Sequence, residues 1–554
     1  MTGFVEGHQP DKISCISCHL GDNTSFIKEA AHKNMLTIPG NLSNATQTCA
    51  QCHPGIDSRV KNSIMNTMSG IISIDKYVFN ENNELDKLFS VYQLSDSTAA
   101  DHHLRNKCAS CHLGNEKTSP GPISETSRGG GCTACHLNYT PSALKDYEQY
   151  ITSDKKILPK IHPSLSLNIS NNHCFGCHSR SGRISTNYEG WHETQLKAEE
   201  ITDFANYRVL EDQRVFEKKT SDVHHDYGLS CIDCHDAEDV MGDGILYAHK
   251  EDAVHTDCRD CHSNNYSTID FEDLSTSNQA IIRMRHLDTT AQFIFSNSSN
   301  KALINVMVEG EQLFLATKKG TKKLRLSPTP SICTKAVHKN VSCSACHTEW
   351  APQCISCHTS YDETEDGYDL LDKKWVIGDW KEEGDHFLAT IPTLGVIEKE
   401  GGKTIKTFSP GMVLSLDKKG DSQSHFQRFF APASAHTISK KGRNCKDCHL
   451  NPLVLGYGRG ELKFNKNKQW TFYPAFENAP DGLPKDAWIP FLSNNSKYKA
   501  TRSNARPFNL QEQKNILKVG LCLRCHEDNS AVSLLILDDF EGAVLGMGGH
   551  CEDW

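Results

Sequence analysis

The chain has 554 residues, enough for three or four domains of about 150 residues each. Its apolar fraction of 37% is low, but 23% of charged residues is ordinary for a folded protein and excludes a disordered polyelectrolyte. A net charge of −10 without a basic stripe excludes nucleic acid as the main partner. No apolar run approaches the roughly 18 residues of a membrane-spanning helix, so we expect no transmembrane segment.

Secondary structure is predictable mainly in the segments that are poor in cysteine. Apolar residues at intervals of three and four predict helices, and apolar runs beside glycine or proline predict strands and hairpins. The predicted elements, in chain order, are helices at 203–219 and 279–293, strands at 302–308, 312–317 and 323–326, a hairpin of 394–398 and 403–408 through Gly401 and Gly402, a hairpin of 461–464 and 469–473, and a helix at 510–521.

The most unusual feature is the number of cysteines and histidines, 24 and 28. A chain of this length does not need disulfides to stabilise its core. The pattern Cys-x-x-Cys-His occurs eleven times, whereas random placement would produce it roughly 0.05 times. Numbered from first to eleventh in chain order, the motifs are Cys15/Cys18/His19, Cys49/Cys52/His53, Cys108/Cys111/His112, Cys132/Cys135/His136, Cys174/Cys177/His178, Cys231/Cys234/His235, Cys258/Cys261/His262, Cys343/Cys346/His347, Cys354/Cys357/His358, Cys445/Cys448/His449 and Cys522/Cys525/His526.

This pattern predicts covalent attachment of c-type haem. The two thiols of a motif can form thioethers with the two vinyl groups of one porphyrin, and the histidine that follows supplies the proximal nitrogen to the iron. Zinc ribbons also pair Cys-x-x-Cys units, but they do not require histidine after every pair. A thioredoxin-like dithiol would occur once, near a βαβ pattern. We therefore expect eleven covalently attached haems.

The second axial position of each iron needs another ligand. Imidazole is a common haem ligand, and only nine methionines are present, so we expect most irons to have histidine on both sides. About eleven of the seventeen histidines outside the motifs would then be distal ligands. The candidates are His8, His32, His102, His103, His162, His173, His192, His224, His225, His249, His255, His286, His338, His386, His425, His436 and His550.

The position of a histidine along the chain limits which iron it can reach. A histidine just before a motif is held on the attachment side of that haem, so it more easily ligates a neighbouring haem. Residues of this kind are His102, His103, His173, His224, His225, His255 and His338. The eighth and ninth motifs begin only eleven residues apart, so we expect their porphyrins to lie against each other.

The motifs also organise the chain into regions. Haems at this density would supply much of the core in place of apolar side chains, which explains the low apolar fraction. The predicted regions are a five-haem N-terminal region at 1–178, a two-haem region with a helical insert at 179–262, a helix and β-hairpin insert at 263–342, a tight two-haem pair at 343–358, a β-hairpin insert at 359–444 and a two-haem C-terminal region at 445–554.

Two features fall outside the motifs. Cys333 and Cys551 either form a disulfide, which export favours, or remain thiols. The acidic segment 362–367 begins like a calcium loop but lacks glutamate at its twelfth position, so calcium is only a weakly supported alternative to a solvated loop.

Covalent haem attachment takes place outside the cytoplasmic membrane, so we expect an exported protein, periplasmic or extracellular. The first residues contain no basic and apolar secretion signal, so the sequence is expected to be either the mature portion or a trimmed form of the protein.

The chain resembles the multihaem c-type cytochromes of bacteria and archaea that respire minerals, electrodes or inorganic ions. The resemblance rests on the eleven motifs from Cys15 to His526. The segments from His224 to His235 and from His338 to Cys343 are similar to large multihaem cytochromes of dissimilatory metal-reducing bacteria. The resemblance implies a multihaem cytochrome c fold, mostly coil and short α-helices wrapped around a haem chain, with small β-hairpin elements in the motif-free segments.

The resemblance also implies a function. The leading expectation is an electron-transfer protein whose mostly bis-histidine haems conduct electrons in anaerobic or extracellular respiration. Its partners would be redox proteins or soluble or insoluble electron acceptors, and it could act as a surface terminal reductase or as a subunit of a filament or oligomer. The alternative is a reductase of a small nitrogen or sulfur species with one five-coordinate haem. Reductases of this family often mark that haem with Cys-x-x-Cys-Lys, which this sequence lacks.

Overall fold

The computed structural model describes residues 7–9, 11–153, 159–263, 265–296, 300–320, 322–417, 424–493, 498–528 and 530–546. The chain divides into two units. The first unit consists of Met1–Arg180, Leu229–Pro328 and Gly367–Val376, and the second of Ser181–Gly228, Thr329–Asp366 and Ile377–Trp554. The first seven motifs belong to the first unit, and the last four belong to the second.

Most helices are single turns, and many of these are formed by the motifs. The helices of the described residues are α1 (Cys15–His19), α2 (Lys28–Ala31), α3 (Ile56–Asn62), α4 (Ile64–Thr67), α5 (Ser69–Val78), α6 (Ala99–Lys107), α7 (Thr133–His136), α8 (Pro141–Thr152), α9 (Asn171–His178), α10 (Ile184–Tyr188), α11 (Val223–Asp226), α12 (Cys231–Cys234), α13 (Ala237–Met241), α14 (Lys250–Ala253), α15 (Cys258–His262), α16 (Thr276–Met284), α17 (Cys343–His347), α18 (Cys445–His449), α19 (Leu510–Leu523), α20 (Ala531–Asp538) and α21 (Phe540–Gly546).

The strands form several separate sheets. Their bounds are β1 (Leu137–Asn138), β2 (Ser164–Leu165), β3 (Trp191–Glu193), β4 (Tyr207–Val209), β5 (Val215–Lys218), β6 (Ser267–Ile269), β7 (Gln292–Ser296), β8 (Lys301–Glu309), β9 (Gln312–Ala316), β10 (Lys323–Arg325), β11 (Ala351–Asp369), β12 (Lys374–Thr390), β13 (Thr393–Lys399), β14 (Gly402–Asp417), β15 (Ser424–Pro432), β16 (Gly460–Phe464), β17 (Trp470–Pro474) and β18 (Ala505–Arg506).

The first unit contains a five-stranded antiparallel sheet in the order β10-β9-β8-β7-β6. This sheet confirms the predicted strands near 302–308, 312–317 and 323–326. Successive residues alternate between its faces: Phe293 and Met307 pack with Ile282 of α16 on one face, and Ile294 and Val306 pack on the other. The sheet is therefore buried on both faces mainly by its own apolar side chains.

The second unit contains a six-stranded mixed sheet in the order β12-β11-β14-β13-β18, with β15 also paired to β14. The predicted hairpin through Gly401 and Gly402 is confirmed, with β13 and β14 antiparallel. Gly401 has a φ of 100°, a conformation that glycine adopts without strain. The rings of Phe408 and Phe430 lie 4.9 and 4.8 Å from that of Trp488, and all three side chains are fully buried.

Two further predictions in chain order are confirmed. β16 and β17 pair as the predicted antiparallel hairpin. α19 covers the helix predicted at 510–521. Its start is fixed by a reciprocal cap, in which the Glu512 amide donates to the Asn509 side chain and the Asn509 amide donates to the Glu512 carboxylate.

Two helix predictions need correction. Residues 203–219 form β4 and β5 rather than a helix, because a turn with Gln213 at a φ of 68° reverses the chain and Val215 and Phe216 join a three-stranded sheet. The helix predicted at 279–293 ends at Met284 in α16. His286 has a φ of 54°, and residues from Gln292 onward form β7. The apolar spacing in both segments is compatible with a helix and with a strand. Pairing with neighbouring strands makes the strand the more stable of the two.

The fold class is mixed α/β and contains more sheet than the expected small hairpins. Short helices around the motifs agree with the expectation, but the five-stranded and six-stranded sheets do not. The largest difference is β11, which runs through the ninth motif and the acidic segment 362–367. Pairing with β12 and β14 stabilises this long strand, and the Tyr361 ring packs 5.1 Å from that of Trp380. Within the described part of the chain, no helix is long and apolar enough to cross a bilayer.

Candidate haem-attachment sites

Ten of the eleven motifs form tight turns, most of them helical. The amides of His53, His235 and His526 donate to the carbonyl of the first cysteine of their own motif at 2.9, 2.9 and 3.0 Å. Residues at positions i, i+3 and i+4 of a helical turn lie on one face. The turn therefore presents both thiols and the imidazole of a motif to the same side, as attachment of one porphyrin requires.

Polar residues next to the cysteines explain why these short turns form. In the sixth, seventh and tenth motifs, an aspartate between the two cysteines accepts from the amide of the residue before the motif: Ser230 donates to Asp233, Asp257 to Asp260, and Asn444 to Asp447. Such caps satisfy amides that a one-turn helix would leave exposed. The sequence carries a signal for these caps, namely a polar residue directly before the motif and an aspartate between its two cysteines.

Five cysteines of the motifs are exposed to solvent. Protein side chains alone do not enclose these residues as they enclose a core residue. The five exposed cysteines are Cys15, Cys52, Cys234, Cys258 and Cys525.

Cys52 and Cys525 differ further, because each lies just beyond the helix of its own motif. The 3-10 helix of the second motif ends at Gln51, and α19 ends at Leu523. The amides of Cys52 and Cys525 still donate to the carbonyls of Cys49 and Cys522, both at 3.2 Å, so the turn continues through the second cysteine. The spacing needed for attachment is kept at both sites, and thioether formation at Cys52 and Cys525 stays a prediction.

The ninth motif is the exception among the eleven turns. Cys354, Cys357 and His358 lie in β11 instead of a helical turn, and Ser356 has a φ of 57°. The Nε2 atom of His358 lies 3.2 Å from a carboxylate oxygen of Asp417. In this conformation the motif does not present the common face described for the other ten, so attachment of an eleventh porphyrin here stays a prediction that requires the strand to rearrange.

Seven of the eleven histidines predicted as proximal ligands are oriented by a hydrogen bond from Nδ1. Six of them donate from Nδ1 to a backbone carbonyl, which can only accept, and His235 makes the equivalent bond to the carboxylate of Asp239 at 3.3 Å. Protonation at Nδ1 leaves the Nε2 lone pair free to bind a metal. The six bonds are His19 to Leu36 at 2.6 Å, His112 to Ala109 at 2.8 Å, His136 to Ser166 at 3.1 Å, His262 to Ser327 at 2.8 Å, His347 to Ser439 at 3.0 Å and His449 to Ile516 at 2.9 Å.

Three distal candidates lie next to the histidine of a motif, at a separation that bis-histidine ligation would require. Two imidazoles bound to opposite sides of one metal ion, with metal–nitrogen bonds of about 2.0 Å, have ring centroids about 6 Å apart. The pairs at this separation are His8 and His53 at 6.2 Å, His19 and His162 at 6.0 Å, and His338 and His449 at 6.4 Å. Each pair joins a motif to a histidine that is remote in sequence, and His338 faces the tenth motif rather than its own neighbour, the eighth.

Burial favours the neutral form of several motif and candidate histidines, and the neutral form is the one that binds metal. Desolvation lowers the pKa of His112 to about 4. Desolvation is also the main cause that lowers the pKa of His8, His162, His338 and His449. The Nδ1 of His162 donates to the Pro163 carbonyl at 2.5 Å, so its orientation is fixed in the same way as that of the proximal histidines.

The other candidates occupy varied environments. His173 lies close enough to His136 for its charge to contribute to the lowered pKa of His136, after burial. His249 differs, because its Nε2 contacts the Leu85 carbonyl and Asp86. His550 lies outside the described residues. The remaining contacts are His32 with Lys28, His103 with Asp75, His192 with Trp350, His224 with Asp222, His225 with Tyr188, His255 with Asp243, His386 with Phe476 and His436 with Ser434, while His102 and His425 are half-buried and His286 is exposed.

Motifs that are separate in sequence adjoin each other within the first unit. The thiols of Cys49 and Cys132 lie close enough to shift each other's pKa, which places the second and fourth motifs side by side. The thiols of Cys111 and Cys177 do the same for the third and fifth motifs. Porphyrins attached at such adjoining turns would be close neighbours.

The structure shows the neighbours of two features outside the motifs, the acidic segment 362–367 and Cys333. Lys381 pairs with Asp362 at 2.8 Å and Glu365 at 3.1 Å in the acidic segment, which is part of β11 and not a loop. The described residues contain no group of three or more His, Cys, Asp or Glu side chains arranged to hold a metal ion. Cys333 is exposed and close to the eighth motif, where the charge of Cys343 contributes to its raised pKa after desolvation. Its expected partner Cys551 lies outside the described residues.

Comparison with known proteins adds no further assignment. No protein-family model, no curated protein and no solved structure matches the chain. The functional argument therefore depends on the motifs and their geometry.

Proposed function

We propose that the chain is an exported undecahaem c-type cytochrome that conducts electrons in anaerobic or extracellular respiration. The observation that carries this proposal is the set of three histidine pairs, each with one member in a motif and centroids 6.0–6.4 Å apart. Haem supplies reversible one-electron redox chemistry when bound. The function would use redox protein partners or a soluble or insoluble acceptor, and self-association is compatible with it.

The residues around three of the motifs support electron transfer rather than substrate binding. A distal histidine opposite a proximal one occupies the position that a substrate would need. Carbonyl acceptors such as those of Leu36 and Ile516 fix the imidazole rings, which limits rearrangement of the ligands when the charge changes. Adjoining turns such as those of Cys49 and Cys132 would keep successive sites close enough for electrons to pass between them.

A second candidate function, reduction of a small nitrogen or sulfur species, rests on the ninth motif. A catalytic haem needs a ligand set unlike that of its neighbours, and His358 is a proximal histidine whose Nε2 contacts a carboxylate. A spectral shift on addition of carbon monoxide or nitrite would favour this function. Wholly low-spin spectra that do not change on addition of carbon monoxide or nitrite would favour electron conduction alone.

Haem loading tests the proposal most simply. The full chain is expressed in a host that matures c-type cytochromes, and haem is counted by intact mass and by the pyridine haemochrome spectrum. We expect eleven haems and a sharp reduced α-band. The double variant Cys49→Ala/Cys52→Ala should carry one haem fewer, while Cys333→Ala, which changes a cysteine outside the motifs, should keep the full number. A colourless preparation would refute the proposal.

A further inference from the structure

The first unit contains two adjacent cations that lack ion-pair partners. Lys318 is 7% exposed, and its ammonium group has one hydrogen bond, a long one of 3.4 Å to the carbonyl of His235 in the sixth motif. Arg285 is half-buried. It donates from Nη1 to the backbone carbonyl of Lys318 at 2.5 Å, and its buried Nε has no hydrogen-bond partner. Among the described residues, neither side chain forms a salt bridge.

The carboxylates nearby are engaged elsewhere. Asp233 accepts from the amides of Lys318 and Ser230, both at 2.6 Å. Asp236 pairs with Lys301 at 2.5 Å and caps α13. These two groups reduce the repulsion at the site, but they do not reach either cation as ion-pair partners.

Two neighbouring cations removed from solvent are costly unless an anion joins them. Burial lowers the pKa of both Arg285 and Lys318, and the charge of Arg285 lowers that of Lys318 further. The unpartnered Nε of Arg285 and the weakly held ammonium group of Lys318 provide the donors that a carboxylate accepts.

We propose that Arg285 and Lys318 bind a propionate carboxylate of the porphyrin attached at the sixth motif, Cys231 to His235. This inference rests on the proposed function. The sixth motif is the nearest source of such a group, because Lys318 contacts the carbonyl of His235 and the charge of Cys234 acts on Lys318. Arg285 also acts on the pKa of His136, so the pair lies near the fourth motif as well.

The pair has a functional consequence. Positive charge beside a haem stabilises its reduced state, which holds one more electron, and so raises its potential. Arg285 and Lys318 would thereby make the sixth haem easier to reduce than an otherwise similar haem without neighbouring cations.

A potentiometric titration of the full haem-loaded chain tests the assignment. In Arg285→Gln and Lys318→Gln, we expect one haem's share of the α-band amplitude to move to lower potential. The matched controls are Arg283→Gln and Lys319→Gln, which change exposed neighbours of the same type and should leave the curve unchanged. An unchanged curve in both test variants would overturn the inference, while a colourless protein would instead refute the proposed function.

Two further arms separate the remaining explanations. A wild-type curve that shifts with added inorganic phosphate at constant ionic strength would identify a free anion as the ligand and overturn the propionate assignment; no shift supports it. If the glutamine variants lose haem, the charge-conserving variants Arg285→Lys and Lys318→Arg test whether positive charge at these two positions is what matters. Full loading with the wild-type curve in these variants supports a charge interaction, and equal loss of haem overturns it.

Discussion

The two units differ in how they bury apolar surface around their motifs. In the first unit, the described residues between 11 and 39, which carry the first motif, include no buried side chain. In the second unit, Phe408, Phe430 and Trp488 form a fully buried aromatic cluster of the protein's own side chains. Under the proposed function, porphyrins would supply the core near the first motif, whereas the sheet of the second unit has a core without them.

Both units place cations beside their motifs. In the second unit, Arg443 lies close to Cys346 of the eighth motif and Cys448 of the tenth, and its buried Nε has no hydrogen-bond partner. In the first unit, Arg285 and Lys318 are placed beside the sixth motif. The units therefore differ in apolar core, but both hold cations next to motif turns.

The largest expected effect follows from removing haem. The full chain is produced without cytochrome maturation and treated with protease. Segment 11–39 should be cleaved first, because it has no core of its own, while strands β13 and β15 should stay protected. In the haem-loaded protein, protection of the N-terminal segment should be restored. Equal cleavage rates of the two regions without haem would contradict the comparison.

A smaller effect is expected from removing the aromatic core of the second unit. Trp488→Ala should lower the free energy of unfolding by about 3–5 kcal/mol, as large core truncations do. Trp375→Ala is the matched control, because Trp375 is 72% exposed, and it should change stability by no more than about 0.5 kcal/mol. Denaturant unfolding of the haem-loaded proteins measures both. Similar losses for the two tryptophans would show that the cluster does not stabilise the unit.

Local signals in the sequence predicted part of this molecule well. The motifs and hairpins depend on neighbouring residues, such as Gly401 and Gly402 in a turn, so the sequence alone identifies them. Residues 203–219 were misassigned because their apolar spacing suits a helix, and only pairing of β5 with β3 and β4 reveals strands. β11 was missed partly for the same reason, since one of its partners, β14, is remote in sequence.

The candidate sites show the same limit. The sequence predicts candidate attachment residues, but it does not predict that Cys52 and Cys525 lie exposed beyond their helices, since exposure depends on which elements pack over a turn. It also left seventeen histidines as equal distal candidates. It could not pair His19 with His162, because the chain between them must fold before the two rings meet. The carbonyls that orient the proximal histidines have no side-chain signature at all.

The most direct test of the central claim is the iron coordination in an experimental structure of the haem-loaded protein. We predict that the iron of the first motif lies between Nε2 of His19 and Nε2 of His162. We also predict equivalent irons between His53 and His8 and between His449 and His338. Finding the two histidines of these pairs on different irons, or no iron between them, would contradict the central claim.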